Sequence, residues 1–87
     1  MDQLNMIQEL ADAKGASGFE DEVLEVARKY ATDLGTIEED CLRNLYIYRK
    51  ENTGNKPVIM LDAHSDEVGF MVHSIKHNGT LRFITLG

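Results

Sequence analysis

The sequence has no tryptophan, one cysteine, one proline and only nine basic residues among 87. Each shortage excludes something. The single Cys41 can form neither an intrachain disulfide nor a cysteine-based zinc knuckle, and this fits a reducing compartment, the cytoplasm. Nine Lys and Arg against fifteen Asp and Glu give a net charge of −6 and a pI near 4.9. That is the opposite of the basic footprint that nucleic acid or an anionic membrane requires, so neither is expected as a partner. No apolar run approaches the ~20 residues of a membrane span. The N-terminus, Met1-Asp2-Gln3-Leu4-Asn5, lacks a basic region followed by an apolar stretch, so it does not read as an export signal. No repeat and no low-complexity tract is present.

Length sets a further bound. A chain of this size is at most one small domain and buries only ~60–65% of its unfolded surface, too little to enclose an active site unaided. The charge is also uneven. Residues 1–43 hold eleven acids and four bases, net −7, and residues 44–87 hold four acids and five bases, net +1. The first half reads as a solvated shell and the second as core-like.

Leu4, Ile7, Leu10 and Ala11 recur at helical spacing, and Gly15 stands where a left-handed terminal residue would end the helix, so the pattern predicts a helix over 2–14. Ser17 and Glu20 have the spacing of a capping box. Phe19, Val23, Val26, Ala27, Tyr30, Ala31 and Leu34 then share one face of a second helix that Gly35 stops. Acids at 20–22 and bases at 28 and 29 suit its dipole, and Glu25 can pair with Lys29. The charge run Glu38 to Asp40 reads as an exposed strand or turn without function. From Leu45 the period falls towards 2 and β-branched and aromatic residues take over. Strands are expected over 45–50, 68–76 and 80–86, the last two around Asn78-Gly79, a strong hairpin signal. Val58-Ile59-Met60-Leu61 is apolar at every position, the mark of a central strand covered on both faces. The sequence stops at a strand end, from which truncation or a partner is inferred.

Asp62-Ala63-His64-Ser65-Asp66-Glu67 places four ionisable groups in six residues directly after that apolar run. Ligands of α/β sheets sit beyond the carboxyl ends of strands, and in extended chain His64 and Asp66 project to the same side. A neutral imidazole is a common metal ligand, and a carboxylate on its other nitrogen fixes the tautomer. By spacing alone the alternative stands beside this: a polar strand end making turn hydrogen bonds. His73 and His77, about 13 Å apart on one extended strand, cannot share an ion. Glu67 reads equally as a group near a metal or as a polar strand start. Tyr46, Tyr48, Met60 and Met71 read as packing residues.

The longer string Leu61-Asp62-Ala63-His64-Ser65-Asp66-Glu67-Val68-Gly69-Phe70-Met71-Val72 resembles the signature of the glutamyl/tetrahedral aminopeptidases, cytoplasmic co-catalytic metallopeptidases sometimes labelled cellulase M or endoglucanase. Gly15-Ala16-Ser17-Gly18-Phe19-Glu20, Asp40-Cys41-Leu42-Arg43-Asn44-Leu45, Gly79 to Phe83 and Leu86-Gly87 resemble further segments of that family, in order. Two departures stand out: Ser65 holds a place usually filled by Met, and Arg43 one usually filled by Gly.

The resemblance implies a chain several times longer, of which this would be the beginning. It implies an α/β fold, two helices and then a sheet, as a fragment of an α/β/α sandwich with the first strands of an inserted β-domain. Residues 1–66 would belong to the catalytic domain and 67–87 to the insertion. His64 would ligate one of two divalent ions, zinc or cobalt, and Asp66 would orient its imidazole, with Glu67 a possible support. The ions would bind the amino end and carbonyl of a peptide substrate and activate water. Assembly into homo-oligomers is implied as well. Because the remaining ligands and general base have no counterpart here, the 87 residues alone are expected to be inactive and to bind metal weakly. Two other classes are weighed: a non-catalytic, self-associating α/β module and, last, a glycoside hydrolase using Asp62, Asp66 and Glu67.

Overall fold

The computed structural model describes residues 2–87. Two helices, α1 (Gln3–Asp12) and α2 (Asp21–Ala31), precede two separate antiparallel hairpins. The first joins β1 (Gly35–Glu39) to β2 (Leu45–Arg49), with Ile37 opposite Ile47. The second joins β3 (Gly69–Ile75) to β4 (Leu81–Leu86), with Met71 opposite Ile84 and an irregularity between Val72 and Ser74. The class is mixed α/β, two helices followed by antiparallel strands, as befits part of a larger domain.

Local chemistry explains both helices, though not always by the expected residues. Asp2 caps α1, its carboxylate accepting from the Leu4 N–H at 3.0 Å. At α2 the capping box does not form. The helix begins three residues later than Ser17 would set it, Glu20 occupies the cap position, and its carboxylate accepts from the Gly18 N–H at 2.8 Å instead. Asp21 and Glu22 in the first turn and Arg28 and Lys29 in the last do complement the dipole. Lys29 pairs with Glu9 of α1 at 2.7 Å rather than with Glu25, and the Tyr30 hydroxyl donates to the same carboxylate at 2.7 Å. This contact joins the two helices. Gly35 does not stop the helix; it opens β1, where a side chain would run into the Tyr48 carbonyl.

The core is small. Ala13, Val23, Leu24 and Ala31 are its buried apolar residues. The face expected of α1 stays open, with Leu4 and Ile7 exposed, and Phe19 is exposed too. The largest departure from expectation lies at Val58–Leu61, which has no regular structure and no cover: Ile59 is 84% and Leu61 92% exposed. A strand exists only where a neighbour accepts its backbone hydrogen bonds, and no neighbour stands there. The whole molecule is correspondingly extended, 64 × 28 × 17 Å with a radius of gyration of 17.6 Å. A compact domain of this length would have ~12 Å. No helix among the described residues is long and apolar enough to cross a membrane.

Candidate functional site

The bare segment after Leu61 bends back onto the loop between the helices, and one short parallel bridge holds it there. Glu67 pairs with Ala16, the Glu67 N–H donating to the Gly15 carbonyl at 2.8 Å. The Glu67 carboxylate accepts from the Gly15 N–H at 3.3 Å, so one residue engages Gly15 through both main chain and side chain. Close approach requires small residues here. A Cβ on Gly15 would lie 2.5 Å from Val23 Cγ2 and 3.2 Å from the Ser65 carbonyl oxygen. One on Gly69 would lie 2.9 Å from Ala16 Cβ. Gly15 was expected as a left-handed helix terminator; it has no positive φ, and its lack of a side chain serves this contact instead.

Within the segment so held, His64 Nδ1 lies 3.0 Å from Asp66 Oδ1 and 3.0 Å from the Asp66 carbonyl oxygen. A carboxylate and a carbonyl can only accept, so Nδ1 carries a proton, and in the neutral ring Nε2 keeps its lone pair. Nε2 has no hydrogen-bond partner among the described residues, and the His64 side chain is 86% exposed. This is the state a neutral imidazole needs to ligate a metal. An open groove of about 510 Å³ adjoins the pair; His64, Asp66, Glu67, Val68, Phe70 and Leu86 are among the residues that line it. The hairpin of β3 and β4 forms one wall, with Gly69 and Phe70 from one strand and Thr85 and Leu86 from the other.

The fit to a metal is partial. His64 offers one nitrogen of the right kind, but among the described residues no three His, Cys, Asp or Glu converge to hold an ion. Asp62 makes no hydrogen bond within this group. His73 lies on β3 and His77 in the turn after it. The carboxylates of Asp66 and Glu67 are each engaged by one oxygen, on His64 and Gly15.

A second polar cluster explains the Asp40–Asn44 segment. The Asp40 carboxylate accepts from the N–H groups of Leu42 and Asn44, both at 2.9 Å, from the Asn44 amide at 2.8 Å and from the Tyr46 hydroxyl at 3.2 Å. These donors, the Asn44 side chain foremost, hold its carboxyl below the usual carboxylate range. Arg43 turns the chain at φ 69° and spans Asp21 and Glu39, while Arg28 grips Glu39 from the other side at 2.7 Å. The run at 38–40 does lie on an exposed strand end and turn, as expected, and within it Glu39 is paired with two arginines and Asp40 with the turn.

The loop between the helices was noted in the sequence only as a family resemblance; its partners were not foreseen. Its Lys14, Gly15 and Gly18 N–H groups are each taken by a glutamate, Glu22, Glu67 and Glu20 respectively. The spacing of three acids from three loop amides spans up to 52 residues and leaves no local signature.

Comparison with known proteins identifies the class. The chain belongs to the M42 glutamyl aminopeptidase family, whose model matches residues 44–87, the stretch that carries His64, Asp66 and Glu67. A further family model, AMPT, matches residues 1–26. Along its full length the chain is 38% identical to a glutamyl aminopeptidase of Lactococcus lactis subsp. cremoris, covering 25% of that protein. Over 94% of its length it is 29% identical to a lysyl aminopeptidase of Pyrococcus furiosus, covering 23% of that protein. The chain thus spans about a quarter of the length of the curated relatives it matches. No solved structure matches it.

Proposed function

We propose that this chain supplies the first metal-binding segment of a divalent-metal-dependent aminopeptidase. The observation that carries this reading is the His64–Asp66 contact, 3.0 Å on Nδ1 with Nε2 left open, inside the stretch matched by the M42 family. His64 would hold one of two zinc or cobalt ions through Nε2, and Asp66 fixes the imidazole plane and tautomer and raises the basicity of the nitrogen. When bound, such paired ions polarise a peptide carbonyl and lower the pKa of water. The chain's own part is narrower. It presents one ligand, keeps that ligand's proton on the far nitrogen, and lines one side of the groove with Val68, Phe70 and Leu86, where a peptide's N-terminal side chain could lie.

In this reading residues 1–66 belong to the catalytic domain and 67–87 open an inserted β-domain. The enzyme works in the cytoplasm as a homo-oligomer, and the isolated 87 residues are inactive for want of further ligands. A graft tests it. The corresponding quarter of the Lactococcus lactis enzyme is replaced by this chain, and release of amino acids from aminoacyl-p-nitroanilides is measured with zinc or cobalt. Activity that survives the graft and falls at least about 100-fold with His64→Ala supports the proposal, the order expected when metal ligation is damaged. A folded, metal-loaded graft without activity overturns it. A second reading, a self-associating module without catalysis, is favoured by one observation, the bare apolar run at Val58–Leu61. It predicts no loss of function in any graft carrying His64→Ala.

A further inference from the structure

Glu67 stands next to Asp66, and its side chain reaches the loop between the helices. Its Oε1 accepts from the Gly15 N–H at 3.3 Å while its own N–H donates to the Gly15 carbonyl at 2.8 Å. The loop it meets is fixed independently, since Glu22 holds the Lys14 N–H and Glu20 the Gly18 N–H, each at 2.8 Å. The two segments are closely packed: a Cβ on Gly69 would lie 2.9 Å from Ala16 Cβ, and one on Gly15 a tight 3.2 Å from the Ser65 carbonyl oxygen. The segment carrying His64 and Asp66 has no regular structure of its own to set its path. Apart from this bridge, nothing in the hydrogen bonding among the described residues ties 62–66 to the helices.

We propose that Glu67 is a positioning residue: by clamping Gly15 through both backbone and side chain it fixes Asp66 against His64 and thereby sets the Nδ1–H tautomer. This rests on the metallopeptidase reading only for its use, because the clamp acts on the imidazole before any metal arrives. The role requires an acceptor and no negative charge. It separates a positioning Glu67 from a ligand or an acid–base group, which would need the carboxylate. Glu67→Gln keeps an oxygen that can accept from Gly15, whereas Glu67→Ala removes it.

The test uses the 87-residue chain, metal-free, labelled with nitrogen-15. In Glu67→Ala, exchange of the Gly15 amide is expected to rise about three- to tenfold, the loss of one hydrogen bond. The imidazole nitrogen shifts of His64 move towards the Nε2–H tautomer that free histidine favours. In Glu67→Gln both readouts stay at the values of the unsubstituted chain. A change of overall stability alone would move exchange everywhere but not the His64 tautomer. Unchanged His64 shifts in Glu67→Ala, or equal loss in Glu67→Gln and Glu67→Ala, overturn the proposal. If Glu67→Ala does not fold, Glu67→Gln decides: retained Gly15 protection with the Nδ1–H tautomer supports it, and loss of either sinks it. Because no metal or substrate is present, failure here is distinct from failure of the grafted enzyme.

Discussion

Single residues here are decided by magnitudes that nearly balance, and Arg43 shows it. A non-glycine residue at φ 69° is disfavoured by roughly 1–2 kcal/mol. Its two ion pairs, to Asp21 and Glu39, are largely exposed and together return about 0.4–2 kcal/mol. Arg43→Gly should therefore leave stability within about 1 kcal/mol of the parent, because it loses the pairs and the strain together. Arg43→Ala keeps the strain and loses the pairs, so it should be the less stable of the two variants; urea midpoints of both would show the order. The departure from the family pattern at this position thus has a physical counterweight in the arginine's partners. Asp40 behaves differently. Its folded-state pKa is depressed, chiefly by the Asn44 side chain, so it contributes stability above its unfolded value, near 3.9, and loses it as pH falls through the lower folded value. Glu9 is depressed likewise by Lys29 and Tyr30. Acid unfolding followed by circular dichroism should begin below about pH 4, and Asp40→Asn should flatten that slope. A slope unchanged by Asp40→Asn would mean the cluster contributes nothing to acid sensitivity.

Elements were legible in the sequence wherever their cause was local. The period of 3.6 placed α1 and α2 to within a few residues, and Asn78-Gly79 placed the hairpin of β3 and β4, with Gly79 at φ 83° in its turn. That His64 and Asp66 fall on one side was also readable, because extended chain alternates its side chains; what holds the segment in place was not. What failed was non-local. Glu9 as the partner of Lys29, Gly15 as the partner of Glu67 and the arginines around Glu39 each join residues eleven to 52 positions apart or across a turn. The capping box failed for a local reason instead: Glu20 accepts from the N–H two residues back, at Gly18. The loop between α1 and α2 is the element on which these contacts meet. Gly15→Ala tests its tightness, since the added methyl would meet Val23 Cγ2 at 2.5 Å and the Ser65 carbonyl at 3.2 Å. Overpacking of this kind costs typically about 1–3 kcal/mol. Chemical shifts of residues 64–67 should move with the loss of stability. A silent substitution, in stability and in those shifts, would show that the loop and the site segment are not in close contact.

At the scale of the whole molecule the governing quantity is surface. The chain exposes 7597 Å², where a compact protein of 9.8 kDa would expose about 5,200 Å². The difference, roughly 2,400 Å², exceeds the surface buried in a standard protein interface. Much of what is apolar in it lies at Val58–Leu61 and on the hairpin, where Phe70 and Phe83 meet edge to face at 4.6 Å but remain exposed. Apolar surface on this scale drives association, at about 25 cal/mol for each Å² removed from water. In isolation the chain should self-associate, and in a family-length polypeptide the same run should be covered. The substitutions Ile59→Lys and Leu61→Lys separate the two situations. Both residues contact almost nothing in the isolated chain, so the double variant should match its stability to within about 0.5 kcal/mol while its sedimentation shifts towards monomer. In the graft into the Lactococcus lactis enzyme the same pair would bury two charges and should cost several kcal/mol or abolish folding. Equal tolerance in both settings would mean that the run is surface in the larger protein too, and that a strand forms there in neither.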